Sequence, residues 1–174
     1  FYGCSSLIQI SVPNHSIITS IGDKAFNYCS SLTQISIPSS VTSIGDSSFR
    51  NCTSLKEVMI PSSVTYIGDN SFRDCSKLIK ITIPSSITEI GHSVFSGCSS
   101  LVEVLIPSST TLIGNHAFRR CSSLKKIMIP SSVTQIGQSA FSECSSLNEI
   151  QIPSSLQVIE DHCFRECSSL KEID

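Results

Sequence analysis

Short apolar and polar runs recur along the chain in a fixed order, and residues 55–60 (LKEVMI) show the first of them. Val58 and Ile60 fall on one side of an extended backbone there. Glu57 and Met59 fall on the other side, which is the period-two alternation of a half-buried strand. Pro61 follows without the amide that a longer ladder needs, so the pattern predicts a strand that ends in a turn.

Two further segments complete the run. Residues 64–67 (VTYI) predict a second, shorter extended piece, closed by Gly68, which can adopt backbone conformations that other residues avoid. The next seven residues, DNSFRDC, have the spacing of a helix, because Phe72 and Cys75 lie three positions apart and Asp69 is suited to an N-cap. We therefore expect strand, short strand and short helical turn in sequence.

This run of segments is repeated with a period of 23 residues. Proline marks the period at Pro38, Pro61, Pro84, Pro107, Pro130 and Pro153, and phenylalanine marks it from Phe26 to Phe164. The first unit departs from it, since Pro13 and Pro38 lie 25 residues apart and the stretch NHSI holds a two-residue insertion. The spacing predicts about seven units of one repeat.

A unit of this length cannot bury its own apolar side, so neighbouring units must stack and share one core. Equivalent residues then form columns along the stack. Eight columns are predicted to point inward, represented by Leu55, Val58, Ile60, Val64, Ile67, Ser71, Phe72 and Cys75. We expect one domain of stacked repeats over residues 1–174.

The repeated pattern C-x-x-L-x-x-I-x-I-P-x-x-V-x-x-I-G-x-x-x-F resembles the BspA-type leucine-rich repeat over essentially the whole chain. The resemblance implies an α/β-type solenoid, a right-handed superhelix with a parallel sheet on one face and short strands plus short helical turns on the other. The asparagine ladder of commoner leucine-rich repeats is replaced by serine at Ser40, Ser63 and Ser86. Hydroxyls or water must therefore satisfy the backbone at that bend.

Charge and hydropathy narrow the class of protein. A net charge of −2 gives no reason to expect nucleic-acid binding, and the apolar runs are too short for a membrane span. Phe1 and Asp174 both fall inside a unit, so we expect the chain to be a piece of a longer array, truncated at both ends.

Neither the cysteines nor the histidines form a convincing reactive site. Eight of the nine cysteines occupy one column, where stacked side chains point in parallel at a spacing too wide for disulfides, so we expect buried thiols that act as small hydrophobes. Cys163 replaces a small residue of another column. The four histidines have no metal-ligand spacing, and no serine is distinguished from the others by its context. We expect no enzyme activity, metal or cofactor.

Recognition is more plausible in the outward columns of the sheet, where the units differ. One column alternates in charge, through Glu57, Lys80, Glu103 and Lys126, and is interpreted first as a ladder of weak ion pairs. The next contains Met59, Thr82, Leu105 and Met128, extended at the edge by Ile79 and Val102. This column predicts either an apolar contact patch or a scatter of tolerated surface residues.

Two weaker signals lie elsewhere. Asn14 begins an N-x-S sequon within the insertion and is a candidate for glycosylation in a secreted protein. Arginines collect after phenylalanine, where they favour either the end of a helical turn or a basic stripe for an acidic partner.

These observations favour a non-catalytic protein-binding scaffold. Resemblance to the BspA-like family implies a cell-surface or secreted protein that takes part in adhesion to host cells or matrix proteins, in a style that resembles protozoan parasites. One alternative is a cytoplasmic scaffold that regulates a partner enzyme such as a phosphatase, because free thiols suit a reducing compartment. Another is a structural array that self-associates through exposed ends.

Overall fold

The chain is described by a computed structural model over residues 1–13 and 16–173. These residues form seven stacked coils, numbered 1 to 7 by their phenylalanines: Phe26, Phe49, Phe72, Phe95, Phe118, Phe141 and Phe164. The strands are β1 (Gln9–Ser11), β2 (Ser20–Ile21), β3 (Gln34–Ser36), β4 (Ser43–Ile44), β5 (Glu57–Met59), β6 (Tyr66–Ile67), β7 (Lys80–Thr82), β8 (Glu89–Ile90), β9 (Leu112–Ile113), β10 (Lys126–Met128), β11 (Gln135–Ile136), β12 (Glu149–Gln151), β13 (Val158–Ile159) and β14 (Glu172–Ile173).

All strand pairs are parallel and join successive coils in register. The sheet face contains β1, β3, β5 and β7 in one sheet and β10, β12 and β14 in another. Between them, coil 5 contributes only the isolated bridges Thr82 to Leu105 and Glu103 to Lys126. The second face contains β2, β4 and β6, then β8, β9, β11 and β13. The predicted parallel solenoid of about seven units is confirmed.

The third side, here called the turn face, corrects one prediction. The segments after each glycine are not helical; within the described residues the structure contains turns and no helix. The cause lies in two columns of left-handed residues, exemplified by Asn70 (φ 56°) and Asp74 (φ 59°), because a right-handed helix cannot pass through that conformation. Alternate amides instead reach the next coil, as in Phe72 N–H to the carbonyl of Val94 at 3.0 Å.

The predicted helix cap is wrong for the same reason. Asp46 Oδ1 accepts a hydrogen bond from the backbone amide of Asp69 in the next coil at 2.9 Å, and Asp23 Oδ1 accepts one from Asp46 N at 2.8 Å. The carboxylates therefore form a ladder between coils rather than capping a helix.

Glycine is required beside this ladder for a steric reason rather than for its conformational freedom. A Cβ on Gly68 would lie 2.4 Å from Asp46 Oδ1 and 2.6 Å from the backbone nitrogen of that residue. Adjacent backbones approach too closely at this corner to leave room for a side chain.

The core is a stack of identical columns, and all eight columns predicted to point inward are buried in coil 3. The phenylalanine rings are stacked along the axis, with 5.3 Å between the centroids of Phe26 and Phe49 and 5.2 Å between those of Phe49 and Phe72. Burying each ring removes a large apolar surface from water, so this column contributes strongly to stability.

Polar side chains satisfy the backbone between these columns. From Pro38 onward, the second serine after each proline donates its hydroxyl to a carbonyl of the preceding coil, as Ser63 Oγ does to Val41 O at 2.7 Å. Ser40 makes the same bond to Ile18 O at 2.7 Å. The hydroxyl therefore takes the role that asparagine has in commoner leucine-rich repeats.

Candidate protein-binding face

The sheet face brings the predicted contact residues together in two adjacent columns. Because strand side chains alternate, burying Val58 leaves Glu57 and Met59 exposed on either side of it. Register then aligns Glu57 with Lys80 and Met59 with Thr82. The isolated bridges and the pairing of β10 with β12 continue both columns through Glu103 and Leu105 to Lys126 and Met128.

The apolar members of this surface are largely accessible to solvent. The exposed fractions are 80% for Met59, 75% for Leu105 and 55% for Met128. Ile79 and Val102 are exposed beside them at the edge of the sheet. We call these five residues the apolar patch. Leaving so much hydrophobic surface in water in one region is unfavourable unless something covers it.

The charged column, which lies between the Met59 column and the edge residues Ile79 and Val102, forms few ion pairs. Lys126 Nζ lies 2.5 Å from Glu149 Oε1. Among the described residues this is the one ion pair that the column forms, so the predicted continuous ladder is incomplete. Glu57, Lys80 and Glu103 are exposed and in register without a close ionic contact, which leaves their charges available to a ligand.

A depression of 720 Å³ adjoins the patch on coils 2 to 4. Met59 and Ile79 contribute its apolar wall, and Gln34, Lys56 and Glu57 contribute polar groups. An apolar floor with a few convergent polar side chains can accommodate a protruding side chain of a partner.

The arginines of the turn face are largely neutralised by neighbouring acids. Arg119 and Arg120 both donate to Glu143, with Arg119 Nη2 to Oε1 at 2.7 Å and Arg120 Nε to Oε2 at 2.9 Å. These hydrogen bonds lower the pKa of the Glu143 carboxyl. Arg165 similarly lies 3.0 Å from Glu166. Such pairing weakens the interpretation of the arginines as a basic stripe.

The thiols are placed for packing. Cys52, Cys75, Cys98, Cys121 and Cys144 are buried in one column, and each donates its thiol to a phenylalanine carbonyl of the preceding coil at 3.1 to 3.2 Å. Burial raises the pKa of Cys52 to about 12, which disfavours the nucleophilic thiolate. Cys163 is also buried, as predicted for a packed small residue.

The remaining signals fall in different places. His92 and His162 are exposed, whereas His116 is half-buried and its ring centroid lies 5.5 Å from that of His92. Within residues 1–13 and 16–173, no cluster of three or more His, Cys, Asp or Glu side chains is arranged to hold a metal ion. The same residues include no helix of the length and hydropathy needed to cross a membrane. The predicted glycosylation site, Asn14, lies outside the described residues.

Comparison with known proteins identifies the repeat. A family model described as "BspA type Leucine rich repeat region (6 copies)" matches residues 1–125 and 95–174. A search of curated proteins gave no match.

Several solved structures resemble the chain, and three of them illustrate the range. A leucine-rich repeat protein from Bacteroides ovatus is 37% identical over 77% of this chain and 41% of its own, with a TM-score of 0.65. The T. pallidum leucine-rich repeat protein is 31% identical over 95% of this chain and 78% of its own, with a TM-score of 0.82. A leucine rich cell surface protein from Faecalibacterium prausnitzii is 27% identical over 100% of this chain and 61% of its own, with a TM-score of 0.52.

The chain thus spans less than half the length of the Bacteroides ovatus protein that it matches. The family model nevertheless covers every coil of the solenoid. The 23-residue period of the sequence is also the spacing of successive strands and buried core residues in the structure. The chain belongs to the BspA-type leucine-rich repeat family.

Proposed function

We propose that the chain is a non-catalytic scaffold whose sheet face binds another protein. The observation that carries this proposal is the apolar patch, in which Met59, Leu105 and Met128 are 80%, 75% and 55% exposed in a column whose inner neighbours are all buried. Stacking explains the buried columns, but it gives no reason for large hydrophobic side chains on this outward face. A protein surface that covered them would gain the free energy of their burial.

The finer proposal is that the partner is a host-cell or matrix protein and that the scaffold acts in adhesion at a cell surface. Its support is membership of the BspA-type family together with similarity to a leucine rich cell surface protein from Faecalibacterium prausnitzii. Thr82 and the free charges at Glu57, Lys80 and Glu103 would then supply the polar contacts around the apolar centre.

Capture of labelled host-cell and matrix proteins by the immobilised chain tests both levels. The variant Met59→Ser/Leu105→Ser/Met128→Ser should lose capture, because it removes the apolar side chains without touching a buried column. The matched control is Tyr66→Ser/Leu112→Ser/Val158→Ser, which removes three apolar side chains from one outward column of the second face. If both variants capture the partner equally well, the sheet face is not the binding surface. If the parent chain captures no host protein, the adhesion proposal is wrong.

Two other roles remain as alternatives. A cytoplasmic scaffold that regulates an enzyme such as a phosphatase would suit free thiols, and the absence of a leader or anchor in the complete gene would favour it. Self-association through the end coils would use surfaces such as Phe1, which is exposed on one side and stacks on Phe26 at 5.2 Å on the other. Light scattering with and without added capping units separates that role from the others, since a monodisperse monomer in both would exclude it.

A further inference from the structure

The boundary between coils 3 and 4 lacks backbone contacts that the other boundaries have. At each of the five other boundaries among the seven coils, two amides of the second face donate to the preceding coil, as Thr65 N does to Thr42 O at 2.9 Å and Gly68 N to Ile44 O at 2.8 Å. Within the described part of the chain, Thr88 N and Gly91 N make neither bond to coil 3. The strands β6 and β8 accordingly belong to different sheets.

The two backbones are also farther apart at this corner. A Cβ placed on Gly68 or Gly114 would lie 2.6 Å or 2.9 Å from the backbone of the preceding coil. For a Cβ placed on Gly91, the three nearest atoms are Asp69 Oδ1 at 2.6 Å, Val94 Cγ2 at 3.6 Å and Asp69 Cγ at 3.8 Å. Coil 3 therefore has no backbone atom as close to this position. At this corner the near contact is the Asp69 side chain, while Ser86 Oγ still donates to Val64 O across the same boundary.

The phenylalanine stack is widest at the same boundary, and one turn-face bond there is the longest of its column, whereas the bond from Asp74 N to Ser96 O stays short at 2.7 Å. The ring centroids of Phe72 and Phe95 are 5.8 Å apart, whereas those of Phe49 and Phe72 are 5.2 Å apart. The bond from Phe72 N to Val94 O measures 3.0 Å, and its equivalent from Phe49 N to Ser71 O measures 2.8 Å. The separation therefore extends from the second face through the core.

Two larger side chains coincide with the separation. Coil 4 has Ile87 and Val94 in columns where coil 3 has Val64 and Ser71, and both are buried. Val94 is the one β-branched residue in its column, whose other members are Ala25, Ser48, Ser71, Ala117, Ala140 and Cys163. Extra volume in a close-packed interior has to be accommodated by backbone shifts, here between coils 3 and 4.

On the sheet face, by contrast, the pairing across this boundary is complete. Strand β5 pairs with β7 at three successive positions, from Glu57 and Lys80 to Met59 and Thr82. We propose that the boundary between coils 3 and 4 is a joint, at which the solenoid opens on its second and turn faces while the paired strands of the sheet face act as the hinge. Met59 lies in the hinge itself, on β5, and Leu105 and Met128 lie beyond it. Bending at the joint therefore changes the curvature of the apolar patch.

Hydrogen exchange of single amides tests this joint. The amide of Phe72 donates across the boundary on the turn face, where its hydrogen bond is intact, so a static defect on the second face would leave it protected. The amides of Phe49 and Phe118 make the equivalent bonds across the boundaries of coils 2 and 3 and of coils 5 and 6. Opening at the joint predicts that Phe72 exchanges about tenfold faster than either, or more. Equal protection of the three amides, measured by NMR, would overturn the proposal.

An exchange of residues between coils 4 and 6 tests the cause. Ile87→Val/Val94→Ala gives coil 4 the residues that coil 6 has at Val133 and Ala140, and should slow the Phe72 amide to the rate of Phe49. Val133→Ile/Ala140→Val makes the opposite change and should accelerate the Phe118 amide, which donates to Ala140 O. The second variant keeps the test decisive if the first does not fold. Rates that stay unchanged at both amides would rule out the two side chains as the origin of the joint.

Discussion

The contacts of coil 3 with its two neighbours differ although the repeated residues are nearly the same. Toward coil 2, the backbone at Gly68 approaches so closely that a Cβ would lie 2.6 Å from Asp46 N, and the second-face amides are bonded. Toward coil 4, Gly91 has no such backbone neighbour. The phenylalanine and thiol columns are continuous through both boundaries. If the proposed joint is correct, the spacing of coils is set locally by the volume of small columns such as that of Val94, and not by the large apolar columns alone.

Removing one phenylalanine ring at each of the two boundaries should have the largest effect on the free energy of unfolding. Phe49→Ala leaves a cavity between two rings at 5.3 and 5.2 Å, and should lower the free energy of unfolding by about 3–5 kcal/mol. Phe95→Ala should cost less, toward the low end of that range, because its ring packs at 5.8 Å and, on the other side, at a 21° tilt. Urea unfolding of both variants measures the difference. Equal losses would mean that the looser boundary carries no energetic penalty.

Replacing the corner glycines Gly68 and Gly91 by alanine should have the next largest effect on stability. Gly68→Ala forces a side chain against the backbone of coil 2 and should cost about 1–3 kcal/mol. Gly91→Ala meets only the Asp69 carboxylate within 3 Å, so it should cost less, and Gly91→Ala/Asp69→Ala should recover part of the loss. Coil 7 has Glu160 in the column of Gly68 and Gly91, and the coil before it has Gln138 where coil 3 has Asp69. Thermal unfolding of the three variants separates backbone crowding from side-chain crowding.

The alternation and the period were sufficient to predict the architecture. The residues of coil 3 that the period placed inward, from Leu55 to Cys75, are all buried, and Met59, Leu105 and Met128 lie on the outward face as the alternation requires. The helical turn was wrong because spacing alone cannot distinguish a helix from successive turns. A signal was nevertheless present: Asn70, Asp74 and Gly97 occupy the left-handed columns, and these residue types tolerate that conformation best.

The finer features of the site depend on distances that a pattern does not contain. The Asp46 ladder needs a backbone amide of the next coil within reach of the carboxylate, and only the close stacking of the corner provides it. The ion pair of Lys126 with Glu149 forms, whereas Glu57 and Lys80 remain apart in the same column, because alternation in sequence fixes register but not rotamers. The partner of the apolar patch is a property of another molecule, so neither the repeat nor its fold specifies it.

Removing an aspartate of the ladder should also cost more stability at the boundary of coils 3 and 4 than at that of coils 2 and 3, but the difference should be smaller. Asp69→Ala removes the acceptor of His92 N, a bond of 2.8 Å at a corner where the Gly91 amide is not bonded to coil 3. Asp46→Ala, made in a Tyr66→Phe background because the Tyr66 hydroxyl also donates to Asp46 Oδ1 at 3.4 Å, removes the acceptor of Asp69 N beside an intact Gly68 bond. Each bond contributes about 0.5–1.5 kcal/mol, and the cost should be greater for Asp69 because fewer contacts remain. Gln138→Ala, in the same column, is the control, since no described amide donates to the Gln138 side chain. A larger loss for Asp46 would reverse the comparison.

Acidification should loosen the joint by the smallest amount, through His116. Burial lowers the pKa of His116 below its ordinary value of 6.5, and the nearby charges of His92, Arg119 and Arg73 lower it further. These groups come from coils 3, 4 and 5, so a proton on His116 adds repulsion across the joint. Because the folded state binds that proton less readily than the unfolded state, the contribution to stability is complete above about pH 6.5 and is lost as the pH falls below it.

His116→Asn isolates that contribution. Asparagine occupies the same column at Asn70 with the same left-handed backbone, so the substitution should not strain the turn. Urea unfolding between pH 8 and pH 5 should show a decline in stability for the parent chain that is smaller in the variant. The Glu143 carboxyl, whose pKa is lowered from 4.5 by its bonds to Arg119 and Arg120, stays ionised over this range and does not confuse the result. Parallel pH profiles for the two proteins would show that His116 does not sense the charges around the joint.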